Sequence, residues 1–169
     1  MFRFLSVLAF GLLFAVAAQA GPEDSSKFND APYAAQKALY DFNFAKPGQG
    51  KSALGYIRNH LRALKEFGDT PGSHIVIVAH GNELHAFSRH NREAYPEVYE
   101  ALKELTDQGV SIFICRNAAR GRGYDSDDFY DVITVVPAAV SEITKWQNQG
   151  YSYMYAGFFP RILREELAK

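Results

Sequence analysis

The chain has 169 residues, a formal net charge of −1 at pH 7 and an aromatic content of 14%. A charge so close to zero gives no reason to expect nucleic acid or an anionic membrane surface as a partner. The high aromatic content argues against a disordered chain, and the length fits one domain with its own hydrophobic core.

The first 20 residues have the pattern of a cleavable secretory signal. Arg3 precedes a stretch over residues 5–18 that is apolar apart from Ser6 and is too short to span a bilayer comfortably. Residues 18–20 (AQA) have the small-x-small pattern that signal peptidases accept, so we predict cleavage before Gly21. An uncleaved N-terminal anchor is the alternative. The signal predicts export to the periplasm, with no membrane attachment after cleavage.

Strand and helix patterns alternate over residues 37–156, which follow a polar leader at residues 21–36. Strands are predicted at Lys37–Phe44, His74–His80, Val110–Cys115, Asp131–Val136 and Tyr151–Ala156. Helices are predicted around Leu54–Leu64, over Pro96–Asp107, from Pro137 to Gly150, and, within a C-terminal amphipathic segment at residues 157–169, over Pro160–Ala168.

This alternation predicts a single α/β domain. Strands joined through helices are connected by right-handed crossovers, so we expect a five-stranded, mainly parallel sheet with helices on both faces. The β-branched run at residues 74–80 (HIVIVAH) is typical of a strand that is buried on both faces. Because ligands bind such sheets at the carboxyl ends of the strands, the candidate site comprises residues 44–52, 80–85 and 115–123.

Residues 45–52 (AKPGQGKS) fit a relaxed Walker A pattern, with Ala45 in place of the first glycine. Phosphoryl transfer at such a loop also needs a carboxylate that holds magnesium, and no predicted strand ends in an aspartate. We therefore expect a glycine-rich turn at Lys46–Gly50 and no nucleotide hydrolysis. A loop that holds some anion is the alternative.

Three histidines, His80, His85 and His90, follow the second predicted strand together with Glu83. Two imidazoles and a carboxylate can hold Zn²⁺ or Cu²⁺, but this spacing is not the i, i+4 spacing that aligns two ligands on one helix face. We expect no bound metal and no other cofactor. His80, Gly81 and His85 are instead predicted to close the end of the strand and to line a pocket.

Cys115 is the only cysteine, so it cannot form an intramolecular disulfide. It is an inert buried residue, an intermolecular bridge or a reactive thiol. Its predicted place is the end of a strand, just before a helical turn that begins with Arg116 and Asn117 and includes Arg120. A helix N-terminus and nearby cations stabilise a thiolate, which is the nucleophilic form. On these residues alone, a small buried hydrophobe is the preferred interpretation.

An ordered series of segments resembles the DsrE/DsrF-like sulfur-relay family over about Lys37 to Ala156. The series consists of residues 75–81 (IVIVAHG), residues 109–115 (GVSIFIC) with Asn117, residues 135–137 (VVP), and Glu142 through residues 149–151 (QGY) to Tyr153. The resemblance implies a five-stranded α/β domain that often forms homo-oligomers such as trimers or hexamers. It also implies a cysteine that accepts sulfur as a persulfide and passes it on, and Cys115 stands at the matching position.

The resulting hypothesis is an exported sulfur carrier or sulfurtransferase with Cys115 as its catalytic residue. Arg116 and Arg120 would activate the thiol, and His80 and Asn117 would be polar groups of the pocket. Its partners would be a sulfur donor and acceptor, either proteins or small sulfur compounds. The alternatives are a non-catalytic module that binds a small ligand or metal with His80 and His85, and a structural oligomer in which Cys115 only packs.

Overall fold

The computed structural model describes residues 22, 23, 25–157 and 162–167. The predicted signal and its cleavage site at Gly21 lie outside these residues. Residues 31–169 form a compact unit separate from residues 1–30, and the fold described below belongs to that unit. Within the described part of the chain, no helix is both long and apolar enough to cross a membrane.

Five parallel strands form one sheet, in the order β4-β3-β2-β1-β5. Their bounds are β1 Lys37–Phe42, β2 His74–Ala79, β3 Ser111–Cys115, β4 Thr134–Val136 and β5 Ser152–Tyr155. The prediction of a five-stranded parallel α/β domain is confirmed. The predicted strand bounds were too long at several ends: β1 stops at Phe42 rather than at Phe44, and β4 begins at Thr134 rather than at Asp131.

Helices cover both faces of the sheet. Their bounds are α1 Pro47–Phe67, α2 Leu84–Phe87, α3 Val98–Asp107, α4 Arg116–Arg120, α5 Ala139–Asn148 and α6 Arg164–Leu167. Residues of α1, α2 and α3 pack in a large core on one face, and α5 packs against β1 and β2 on the other, which we call the α5 face. The predicted C-terminal helix is seen as α6, while its other predicted residues lie largely outside the described ranges.

Strand alternation decides which side chains reach the α5 face. In β2, Ile75 and Ile77 belong to the large core, whereas Val76 and Val78 pack toward α5. Cys115 belongs to the same α5-face cluster as Val76 and Val78. Because side chains on a strand alternate with a period of two, His80 continues the row of Val76 and Val78.

The prediction of a turn at Lys46–Gly50 was wrong, because these residues open α1. Pro47 stands at the first helical position, where its missing N–H costs nothing, and Lys46 N–H donates to Gln49 Oε1 at 2.9 Å. Gly50 is buried, and a β-carbon at this position would lie 2.6 Å from Cβ of Glu83. This glycine therefore permits close packing of α1 rather than forming a loop for phosphate.

Candidate functional site

Four polar or reactive side chains lie on the α5 face of the sheet, near the carboxyl ends of the strands. Asp41 comes from β1, His80 directly follows β2, Cys115 ends β3 and Tyr153 comes from β5. We call these four residues the strand-end cluster. Two of its members, Asp41 and Tyr153, were not singled out as site residues by the sequence analysis.

Cys115 is the last residue of β3 and the N-cap of α4, and it is 6% exposed. Ala118 N–H donates to Sγ at 3.4 Å, so the sulfur caps the short helix. It packs among apolar residues of β2 and α5, including Val78 and Ala139. The thiol thus has an apolar surrounding and one backbone hydrogen-bond donor.

The two predicted activating arginines and the predicted pocket residue Asn117 have different environments. Asn117 and Arg120 are exposed, whereas Arg116 is half-buried. Arg116 Nε is buried and has no hydrogen-bond partner among the residues described. Arg116 therefore presents an unsatisfied donor directly beside Cys115 in the chain.

Arg122 is a further positioning residue for this region. Its Nε donates to Asn82 Oδ1 at 3.0 Å and its Nη1 donates to Ala118 O at 3.0 Å. It thereby joins the segment after β2 to the helix that Cys115 caps. The sequence signal for Arg122 was only its place in an arginine-rich run, which did not distinguish it from Arg120.

One carboxylate joins three strands within the strand-end cluster. His80 Nε2 lies 2.8 Å from Asp41 Oδ1, and Tyr153 OH donates to Asp41 Oδ2 at 2.5 Å. Burial opposes ionisation of Asp41, but the hydrogen bonds with His80 and Tyr153 hold the pKa of this carboxyl below its ordinary value. The hydrogen bond to Asp41 raises the pKa of Tyr153 to about 12. Asp41 is therefore an anion that accepts from both neighbours.

A buried carboxyl group anchors the backbone around His80. Glu83 Oε2 accepts from Phe44 N–H at 2.9 Å and Oε1 accepts from Gly81 N–H at 2.7 Å. Burial raises the pKa of Glu83, although both backbone hydrogen bonds oppose that shift. A β-carbon at Gly81 would lie 2.3 Å from Phe44 N, so only glycine fits between the two segments. Gly81 is thus a packing requirement of the site.

The structure directs the three histidines to three different partners. His80 bonds Asp41, His85 Nδ1 lies 2.8 Å from the hydroxyl of Tyr124, and His90 Nε2 lies 2.6 Å from Asp128 Oδ1. No group of three or more His, Cys, Asp or Glu residues in the described ranges is arranged to hold a metal ion. His80 and His85 thus bond different partners, because α2 turns His85 toward Tyr124.

Two grooves lie beside β5, away from Cys115. Their volumes are about 770 and 480 Å³, and both are lined by Tyr40, His60 and Met154. Tyr40 OH lies 3.0 Å from His60 Nδ1, and His60 Nε2 lies 2.6 Å from Gln36 Oε1. Tyr40, His60 and Gln36 are therefore hydrogen-bonded in series, and none of the predicted site residues lines either groove.

Comparison with known proteins agrees with this architecture. A family model described as the DsrE/DsrF-like family matches residues 28–156. A solved structure of a protein of unknown function, MTH1491 from Methanobacterium thermoautotrophicum, is 23% identical and superposes with a TM-score of 0.59. The match covers 71% of this chain and 98% of that chain, and it supports the fold alone. No curated protein sequence matches the chain significantly.

Proposed function

This chain belongs to the DsrE/DsrF-like family, and on that premise we propose that it is a sulfur carrier. Cys115 accepts a sulfane sulfur atom as a persulfide and passes it to a second thiol. The observation that carries the proposal is the hydrogen bond from Ala118 N–H to Sγ at 3.4 Å, made where β3 ends and α4 begins. The sulfur thus lies beside a backbone donor at the start of a helix, and its thiolate form is the nucleophile in sulfur exchange.

The surroundings of Cys115 support a carrier of anionic sulfur compounds. The buried Nε of Arg116, the residue after Cys115, has no partner in the described chain, and in this proposal it donates to the persulfide or polysulfide anion. The low exposure of Cys115, 6%, limits access to small donors or to a thiol presented on an extended segment. A shielded persulfide is also protected from water and from further oxidation.

The transfer step needs no cofactor. The Cys115 thiolate attacks the outer sulfur of a donor persulfide, R–S–SH, so that a new S–S bond forms while the bond between the two donor sulfurs breaks. The leaving thiolate takes up a proton and departs as R–SH. An acceptor thiolate then attacks the outer sulfur of the Cys115 persulfide in the same way, which regenerates the Cys115 thiol.

Intact-mass measurement after incubation with polysulfide tests this proposal. The folded protein is expected to gain one sulfur atom, about 32 Da, and to lose it on addition of an excess of a small thiol. Cys115→Ser should show no gain while retaining its thermal unfolding temperature, since one atom changes. A wild-type protein that is modified only in denaturant would contradict the proposal and would assign Cys115 a packing role.

The proposed site of action is the periplasm, and the motivation is the signal pattern at residues 1–20. N-terminal sequencing of protein recovered from the exporting cell is expected to begin at Gly21. A retained Met1 would contradict cleavage and would favour a membrane anchor.

Assembly into a homo-oligomer is part of the same proposal, and sedimentation of the cleaved protein is expected to give a mass above that of one chain.

A further inference from the structure

Tyr153, Asp41 and His80 form a hydrogen-bonded series across β5, β1 and β2. His80 is the member of this series that lies nearest to β3 in the strand order. In the β2–β3 register Ala79 pairs with Ile114, and the residues that follow these two are His80 and Cys115. Neighbouring strands lie about 4.8 Å apart, and both residues continue rows that face α5. Continued by one residue, the register places the backbone of His80 beside that of Cys115.

Hydrogen bonding to Asp41 determines which nitrogen of His80 carries the proton. Nε2 faces the carboxylate and is therefore the protonated nitrogen of the neutral ring, which leaves Nδ1 as a hydrogen-bond acceptor. Nδ1 makes no hydrogen bond to any residue in the described ranges. The His80 side chain is 24% exposed, so part of the imidazole is accessible to water or a small molecule.

We propose that His80 transfers the proton in the sulfur-transfer step at Cys115, and that Asp41 and Tyr153 are positioning residues that orient its ring. This inference rests on the proposed function. His80 Nδ1 accepts the proton of the Cys115 thiol, the thiolate attacks the outer sulfur of R–S–SH, and the same proton returns to the departing R–S⁻ to give R–SH. His80 and Cys115 share no direct hydrogen bond, so a water molecule or the substrate completes the path.

Several other charged groups act on His80 or lie on elements packed against it. Glu83, in the segment after β2, interacts electrostatically with His80. From α5, which packs against β1 and β2, Glu142 and Lys145 pair with each other at 2.7 Å. Arg116 follows Cys115 at the end of β3. None of these four groups forms a hydrogen bond with His80 within the described chain, whereas Asp41 does, so removal of Asp41 should change the behaviour of the imidazole most.

The test is the rate of persulfide formation on the full chain with polysulfide, followed by intact mass between pH 5 and 9. In His80→Gln and Asp41→Asn, the rate at neutral pH is expected to fall by at least about tenfold, since a positioned proton-transfer group contributes about 10²–10⁴-fold. Tyr153→Phe should lower the rate of persulfide formation at neutral pH by a few fold. At the alkaline end all three variants should still gain one sulfur, because hydroxide then removes the thiol proton.

Matched controls exist at the opposite end of the same face. His74 Nδ1 lies 2.5 Å from the hydroxyl of Tyr151. Like His80 and Tyr153, these two residues belong to the β2 and β5 segments, but they lie at the amino ends of the strands. His74→Gln and Tyr151→Phe should leave the loading rate and its pH profile unchanged, because this pair does not extend to Cys115.

The outcomes separate the two proposals. If the wild-type protein gains no sulfur, the sulfur-carrier function fails and the inference fails with it. If the wild type gains sulfur but Asp41→Asn matches its rate at every pH, the function stands and the role of Asp41 and His80 is overturned. If Tyr151→Phe slows loading as much as Tyr153→Phe does, the effect is one of packing, and the inference is likewise overturned.

Discussion

His80 Nε2 lies 2.8 Å from Asp41 Oδ1, across two adjacent parallel strands and at a separation of 39 residues in the chain. The same carboxylate accepts from Tyr153, which is 112 residues away in sequence. A single aspartate on the α5 face therefore ties β1 to β5 and to the segment after β2, and it orients the His80 ring. Stability and reactivity should both respond to this contact.

Removal of the Asp41 charge should reduce stability in a pH-dependent way. The pKa of Asp41 is lower in the folded protein than its ordinary value of 3.8, because its hydrogen bonds with His80 and Tyr153 outweigh the effect of burial. Such a carboxyl stabilises the fold above its unfolded pKa, and the contribution is lost as the pH falls through the folded pKa. Asp41→Asn should lower the free energy of unfolding by about 1–3 kcal/mol at neutral pH.

Urea unfolding at several pH values measures this effect. The difference between wild type and Asp41→Asn should shrink as the pH falls below about 4. Asp107→Asn is a suitable control, because Asp107 makes an exposed pair with Lys103 and the change should cost less than about 1 kcal/mol. A difference for Asp41→Asn that is constant from neutral to acid pH would show that its charge is not the cause.

Two glycines of α1 should respond to alanine in opposite directions. A β-carbon at Gly50 would lie 2.6 Å from Cβ of the buried Glu83, so Gly50→Ala should destabilise by about 1–3 kcal/mol. Nothing lies within 4 Å of a β-carbon at Gly55, and Gly55→Ala should stabilise the helix by about 0.5–1 kcal/mol. Thermal and urea unfolding measure the stability of both variants. Equal changes in the free energy of unfolding at the two sites would refute the packing role of Gly50.

Lys51, the lysine of the Walker-like segment, should not take part in nucleotide binding. It lies within α1, is half-exposed and pairs with Glu97. Lys51→Ala should change the free energy of unfolding by less than about 1 kcal/mol, as expected for an exposed ion pair. ATP with magnesium should leave the melting temperature unchanged, whereas a ligand-dependent rise that disappears in Lys51→Ala would restore the nucleotide hypothesis.

Arg122 should matter more than Arg120, although only one residue separates them. Arg122→Ala removes two hydrogen bonds, to Asn82 and to the carbonyl of Ala118, and should cost about 1–3 kcal/mol. Arg120→Ala, at an exposed position, should change stability by less than about 0.5 kcal/mol. Equilibrium unfolding gives both values. Persulfide formation should also slow in Arg122→Ala. The variant lacks the hydrogen bond to the carbonyl of Ala118 in α4, and the N–H of the same residue donates to Cys115.

The fold was predictable because burial leaves a local pattern in the sequence. The continuous β-branched run at residues 74–80 predicted a strand covered on both faces, and β2 is such a strand. The helical spacing from Leu54 to Leu64 predicted α1, whose buried residues include those positions. The start of α1 was not predicted, because two glycines in its first turn favour a loop locally, and the close packing against Glu83 that requires Gly50 forms only in the folded chain.

The sequence by itself determined the sheet, its covering helices and the place of Cys115 at the end of β3, since each follows from residues near one another in the chain. Only the tertiary structure decided which polar groups surround that cysteine. Asp41 and Tyr153 lie in strands whose residues carry no local sign of a site, and they meet His80 because β1 lies between β2 and β5. A hydrogen bond between strands depends on strand order and register, and these are set by packing of the whole sheet.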